Sequence, residues 1–222
     1  MNEEVLTLES LGKDFGIDPG GMSELAEKCG ISWSPSKPLT EKEVNALYDM
    51  RTEGDREISY SGHHRANRPA REKMLLIDTS SLLEESAEAV LKKLVPELLR
   101  EGRQIIIPYI VMEELNRKAI KSSRPALSKR ARNIMKIIFE YKDLGAVAVY
   151  GDSNDVKIGF ADGVFQKLAA MFAQDCELSV ITQDNDLARE LLAMADMRSV
   201  RHRKISVLRI DKGGRLVKAI RN

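Results

Sequence analysis

Apolar positions along the 222-residue chain follow two rhythms, and the change falls near residue 73. In the first fifty residues they recur every three or four positions, the period of helices with one face turned inward. Leu6, Leu8, Leu11 and Phe15 lie on a first segment ended by Gly16. Met22, Leu25, Ala26 and Cys29 lie on a second closed by Gly30, and Val44, Ala46, Leu47 and Met50 on a third. Glycine ends helices because it enters the left-handed conformation without a steric penalty. Pro38 introduces the third helix, and Thr40 with Glu43 has capping-box spacing, in which each side chain satisfies the other's backbone N–H. Residues 52 to 72 lose the periodicity. The stretch SGHHRANRPAREK within them is polar and basic and reads as a linker.

From Lys73 onward short apolar runs alternate with amphipathic stretches. MLLID, QIIIP, AVAVY and ELSVIT read as strands. Residues 86 to 101, VMEELNRKAI, LSKRARNIMKIIFEYKDL, FADGVFQKLAAMFAQD and the segment from Asp184 to about Ala195 read as helices, with Gly145 breaking the chain before AVAVY. In FADGVFQKLAA the spacing expects Val164, Leu168 and Met171 to face the sheet. KISVLRI, the turn DKGG and RLVKAI predict a terminal hairpin. Strands without polar alternation, separated by helices, imply a mainly parallel sheet covered on both faces. The expected architecture is therefore α/β, a three-layer α/β/α domain over residues 73 to 222, preceded by a small helical module (1–51) and a basic linker (52–72).

Composition narrows the setting. Apolar and charged fractions of 43% and 31% suit a soluble globular chain. No apolar run approaches the roughly 18 residues a membrane span needs, and MNEEVLTLES is acidic where a secretory signal is basic and then apolar, so a cytoplasmic chain with no membrane contact is expected. Cys29 and Cys176 form no zinc or disulfide spacing and read as small buried apolar groups. Trp33, near Pro35, is expected in core or cap packing.

The net charge of +1 conceals an asymmetry. Residues 1 to 60 hold thirteen acids and six bases, whereas Arg117 to Lys136 holds eight bases and no acid, and Arg198 to Arg221 nine bases against Asp211 alone. Such clusters suit a polyanion, whose phosphates they neutralise with release of counterions, or else form solvated helix faces. The candidates are Arg117, Lys118, Lys121, Arg130, Arg132, Arg201, Arg203 and Lys204.

In an open parallel sheet, functional groups collect beyond the C-terminal strand ends. Asp78 ends MLLID, Glu114 follows QIIIP, Asp162 opens the helix FADGVFQKLAA and Asp184 follows ELSVIT. Carboxylates gathered there repel one another unless a cation neutralises them, and hard oxygen ligands favour Mg²⁺ or Mn²⁺. Each acid also has a plain structural reading. Asp78 and Asp184 precede helices and suit N-caps, Glu113 and Glu114 suit a solvated face, and Asp162 suits the positive end of a helix dipole. Asp155 in the loop-like GDSND rivals Asp162, which an amphipathic helix would hold more rigidly. Asp186 offers an additional carboxylate. Competing chemistries lack their residues: the turn DTSSLL has no glycine for a dinucleotide or P-loop, Ser80 stands where an aspartyl-phosphate enzyme wants a second Asp, and no G-x-S-x-G elbow occurs. His63, His64 and His202 suit surface or phosphate contacts rather than a triad.

LLIDTSSLL, IPYIVMEELNRK, FADGVFQKLAA and SVITQDNDLA, in this order and approximate spacing, resemble the PIN-domain nucleases over residues 73 to 200. The V-x-E-E-L segment and following Arg-rich helix are most similar to the branch found beside phosphate-starvation-type ATPases, and more distantly to toxin–antitoxin ribonucleases. The resemblance implies that Asp78, Glu114, Asp162 and Asp184 bind Mg²⁺ or Mn²⁺, and that Thr79, Ser80 and Thr182 orient them or contact phosphate. Glu114, preceding Leu115, fits the family pattern better than Glu113, and adjacent helical residues diverge by about 100° so that only one can face the site. The implied activity is a metal-dependent endoribonuclease cutting single-stranded RNA. The alternatives are a catalytically silent nucleic-acid-binding or regulatory protein of the same fold, and a single-stranded DNA nuclease. Such domains often pair as homodimers. Residues 5 to 50, through LESLGKDFGI, ELAEKCGI and LTEKEV, resemble the N-terminal module of the bacterial translation initiation factor that delivers initiator tRNA. That likeness implies a protein-docking or substrate-orienting role.

Overall fold

The computed structural model describes residues 6–52, 73–151, 161–173, 176–196 and 205–220. Most of the expected linker, with His63 and His64, lies outside the described residues. So do Asp155, His202, Arg201, Arg203 and Lys204.

Three helices form at the N-terminus: α1 (Leu8–Phe15), α2 (Pro19–Lys28) and α3 (Glu41–Thr52). Their ends carry the chemistry that stops and starts helices. Thr7 and Ser10 make a reciprocal capping box at α1, and Asp18 accepts from the Gly21 N–H at α2. Thr40 and Glu43 exchange side-chain-to-backbone bonds at α3, as their spacing predicts. Gly16 and Gly30 hold φ of 67° and 69°, where a side chain would be strained.

From residue 73 the order is β1 (Lys73–Ile77), α4 (Thr79–Leu82), α5 (Ala87–Glu101), β2 (Ile105–Pro108), α6 (Tyr109–Lys121), α7 (Pro125–Asp143) and β3 (Val147–Tyr150). Then come α8 (Ala161–Phe172), β4 (Glu177–Ile181), α9 (Asn185–Asp196), β5 (Ile205–Ile210) and β6 (Leu216–Lys218). The sheet runs β3-β2-β1-β4-β5-β6, parallel from β3 through β5, with β6 antiparallel on β5 as the terminal hairpin. The fold is thus three-layer α/β/α. Strands β1 and β2 are buried runs, as a sheet covered on both faces demands, whereas β5 near the edge alternates. Connections on the two sides of β1 run in opposite directions along the sheet. That reversal leaves a crevice where β1 and β4 end side by side, with Ile77 registered against Ile181.

Two packing expectations are corrected. On α8 the buried stripe is Phe165, Leu168, Ala169 and Phe172, while Met171 is exposed. Positions i, i+3, i+4 and i+7 turn inward together, and the two phenylalanines bring more apolar area to that face than Val164 and Met171 bring to theirs. Trp33 is likewise outside the core, 38% exposed, on the connection between α2 and α3. Cys176 is buried and Cys29 half-buried.

The N-terminal helices pack on α6 and α7. Phe15 meets Tyr48 and Phe139 edge-on at centroid distances of 4.9 and 5.2 Å, and the Arg51 guanidinium lies 5.1 Å over the Phe139 ring while pairing with Asp143 at 2.7 Å. Lys142 donates to the Arg51 carbonyl and so closes the end of α3. Apolar burial therefore runs without a break from Leu8 to the sheet. Truncating Phe15, which is 1% exposed, leaves a cavity against an α7 residue of the sheet domain. Phe15→Ala is expected to destabilise the chain by about 3–5 kcal/mol, read by urea denaturation followed through far-UV circular dichroism. A loss below 1 kcal/mol would mean that this aromatic cluster contributes little to the fold.

Candidate functional site

The crevice beyond β1 and β4 is built on Asp78, the first residue after β1. Its backbone N–H continues the sheet to the Ile181 carbonyl at 3.1 Å, so the side chain is carried by the strand. Oδ1 accepts from the Ser81 N–H at 2.8 Å, capping the short helix α4. Oδ2 accepts from the Ser80 and Thr182 hydroxyls at 2.7 and 2.6 Å. Both hydroxyls are themselves oriented by the β4 loop: Ser80 accepts from the Gln183 N–H, and Thr182 from the Asp184 N–H, each at 3.0 Å. This relay fastens the end of β1 to the end of β4. Burial pushes the Asp78 carboxyl upward, opposed by the Thr182 hydroxyl, the Ser81 N–H and the Ser80 hydroxyl.

The other acids arrive on helices. Asp184 stands at the mouth of α9, where its Oδ1 accepts from the Asp186 and Leu187 N–H groups at 2.7 and 3.1 Å. Asp78 and Asp184 are thus N-caps and cleft residues at once. Glu114 on α6 accepts from the Thr79 hydroxyl at 2.7 Å and pairs with Lys118 one turn along at 3.2 Å. Asp162 lies in the first turn of α8. Its carboxyl is pushed upward by burial first, then by repulsion from Asp184, Glu190, Asp78 and Asp186.

These side chains line one cleft of ≈ 170 Å³, together with Leu83, Phe165 and Leu187. Glu113 does not reach it. That side chain lines a small cavity with Asp49, Tyr109 and Asn116 under α3, where burial and the Asp49 carboxylate push it upward. Asp186 stays at the rim in an ion pair with Arg189 at 2.9 Å.

Of the basic candidates on α6 and α7, Lys118 lines the cleft. Arg130 is tied beside it, to the Leu83 carbonyl at 2.8 Å and Glu85 at 2.9 Å. Lys121 instead pairs with Glu41 of α3 at 2.5 Å, Arg132 acts electrostatically on Tyr48, and exposed Arg117 faces Glu113. The apolar lining by Phe165 and Leu187, and Glu190 held by Gln166 at 2.6 Å, had no motif to mark them. The i+3 spacings from Asp162 to Phe165 and Asp184 to Leu187 are the signal that would have found the first two.

A family model for the PIN domain matches residues 75–197, more than half of the chain. The chain belongs to the PIN-domain family. PIN domains are generally metal-dependent nucleases, so a nuclease is the family's coarse reading for this chain. No match to the chain is found among curated proteins. The PIN match spans all four acids and the sheet from β1 to α9.

The donor set fits a hard divalent cation. It consists of carboxylate and hydroxyl oxygens, and Asp162, pushed upward first by burial, is pushed further by the acidic side chains around it. Among the described residues no three Asp, Glu, His or Cys side chains already close round one point. Because Asp162 is raised, its charged form weighs against the fold above the usual carboxylate range. The wild type's penalty is absent below the ordinary value of 3.8, builds as pH rises from there and is complete above the raised one. Asp162→Asn is therefore expected to raise the melting temperature at pH 7 in chelator, with the gain shrinking as pH falls into the carboxylate range. Equal melting temperatures at pH 7 would show that the acids do not strain the metal-free cleft.

Proposed function

We propose that this PIN domain is an endoribonuclease that cuts single-stranded RNA in the cleft beyond β1 and β4, using Mg²⁺ or Mn²⁺ held by Asp78, Glu114, Asp162 and Asp184. The observation that carries the reading is the meeting of these four acids, from four separate segments, in one cleft. When bound, such a cation supplies an activated water and neutralises charge on the phosphoryl oxygens.

The chain's own residues do the rest. Asp78 is immobilised by three donors, which keeps its orientation independent of substrate. Thr79 fixes Glu114 in the same way from the opposite element. Asp162, partly buried and set among acids, has its carboxyl pushed upward from the ordinary value, by burial first and then by its acidic neighbours. Phe165, Leu83 and Leu187 give the cleft an apolar part of its lining. We take Arg130 as a phosphate contact at the rim, α1–α3 as a docking or substrate-orienting element, and the PIN domain as one of the branch found beside phosphate-starvation-type ATPases.

The test is incubation of the full chain with end-labelled single-stranded RNA and DNA, in Mn²⁺ and in chelator. RNA is expected to be cut internally in Mn²⁺ only, and preference for DNA would overturn the substrate. Glu114→Gln is expected to lower cleavage at least 100-fold and Glu113→Gln less than threefold, since losing charge stabilisation at a reacting phosphate typically costs about 10²–10³ in rate. The reverse order would place the other carboxylate at the chemistry.

A further inference from the structure

Glu114 differs from the other cleft acids in having a cation of its own. Its Oε2 is taken by the Thr79 hydroxyl at 2.7 Å and its Oε1 by the Lys118 ammonium at 3.2 Å, so neither oxygen is idle. The two side chains are only 26% and 32% exposed, and among the described residues Lys118 is the one cationic side chain lining the cleft. An i,i+4 pair with Glu on the N-terminal side is ordinary helix chemistry and, on a solvated face, contributes a few tenths of a kcal/mol. This pair sits elsewhere. It faces Asp78, Asp162 and Asp184, whose mutual repulsion registers at Asp162.

We propose that Lys118 is an exchangeable internal cation: it holds Glu114 Oε1 until a divalent cation takes that oxygen, and then turns to the phosphate of the bound strand. The proposal rests on reading the cleft as the nuclease site. Its physical basis is charge balance. A cation that engages Glu114 at Oε1 competes there with the ammonium, while Oε2 already accepts from the Thr79 hydroxyl. The displaced ammonium sits on a flexible four-carbon stem with three rotatable donors, and in this cleft its available anion is the substrate. Binding of the divalent cation and presentation of a phosphate ligand are thereby one event. The same lysine keeps the four acids tolerable in the free protein and stabilises developing charge on the phosphate in the loaded one.

Two variants of the full chain, Lys118→Met and Lys118→Arg, test this. Mn²⁺ binding is measured by calorimetry without RNA, and kcat and KM are measured on single-stranded RNA at saturating Mn²⁺. Removing the competing ammonium is expected to tighten Mn²⁺ binding about threefold or more in Lys118→Met. It should also lower kcat about tenfold or more, with a smaller change in KM. Lys118→Arg, which keeps the charge, should return Mn²⁺ affinity to near the wild-type value. Unchanged or weaker Mn²⁺ binding in Lys118→Met would overturn the exchange, and an unchanged kcat would overturn the phosphate contact. A wild type that binds Mn²⁺ without cutting RNA sinks the ribonuclease reading, while the calorimetry still decides whether Lys118 competes for Glu114. A wild type that binds no Mn²⁺ sinks both.

Discussion

The Thr182 hydroxyl donates to Asp78 at 2.6 Å across the join between two strands that are 104 residues apart in the chain. A carboxylate 6% exposed cannot remain at a strand end without donors, because the loss of hydration would otherwise be uncompensated. Here two hydroxyls and a backbone N–H supply them, and both hydroxyls are aimed by N–H groups of the β4 loop. The arrangement exists only because β1 and β4 are parallel neighbours in register. With that pairing fixed, α4 and α9 begin at the same edge, and their first turns bring Thr79, Ser80 and Asp184 around Asp78.

Electrostatics then divides the molecule. Among the described residues the cleft concentrates acid and keeps one lysine, Lys118, inside it, whereas the basic run on α6 and α7 is divided between two neighbours. Lys118 and Arg130 stay beside the cleft, and Lys121 pairs with the acidic N-terminal helices. A surplus of bases in a sequence segment is therefore not one surface. On a helix, successive residues point about 100° apart, and each face meets a different neighbour.

Helix α6 shows the same division most sharply. One face carries Glu114 and Lys118 to the cleft. The adjoining face gives Tyr109, whose hydroxyl reaches Asp49 at 2.6 Å, and Asn116, which donates to Asn45 at 3.1 Å, both on α3. The N-terminal helices thus bear on the same rod that presents a proposed metal ligand, and the aromatic group Phe15, Tyr48 and Phe139 anchors them to α7. This contact gives a docking or orienting role for α1–α3 a physical route to the cleft.

Local pattern was enough to read the strands, the helices, the capping box at Thr40 and Glu43, the glycine stops and the parallel α/β sheet, because those features depend on periodicity and on neighbours within four residues. The ordered motifs around Asp78, Glu114, Asp162 and Asp184 were legible for the same reason, and they marked the family. Periodicity placed Leu168 of α8 inward but missed Phe165 and Phe172 beside it, and Met171 is exposed while Val164 is only partly buried, since the phase of a helix that is apolar on several sides is settled by what it packs against. The place of Glu113 beside Asp49 under α3, the pairing of Lys118 with Glu114 rather than with solvent, and the tie of Lys121 to Glu41 were decided by tertiary structure alone. Each depends on which element lies opposite a given helix face, and that is set by strand order, a property of contacts between residues far apart in the chain.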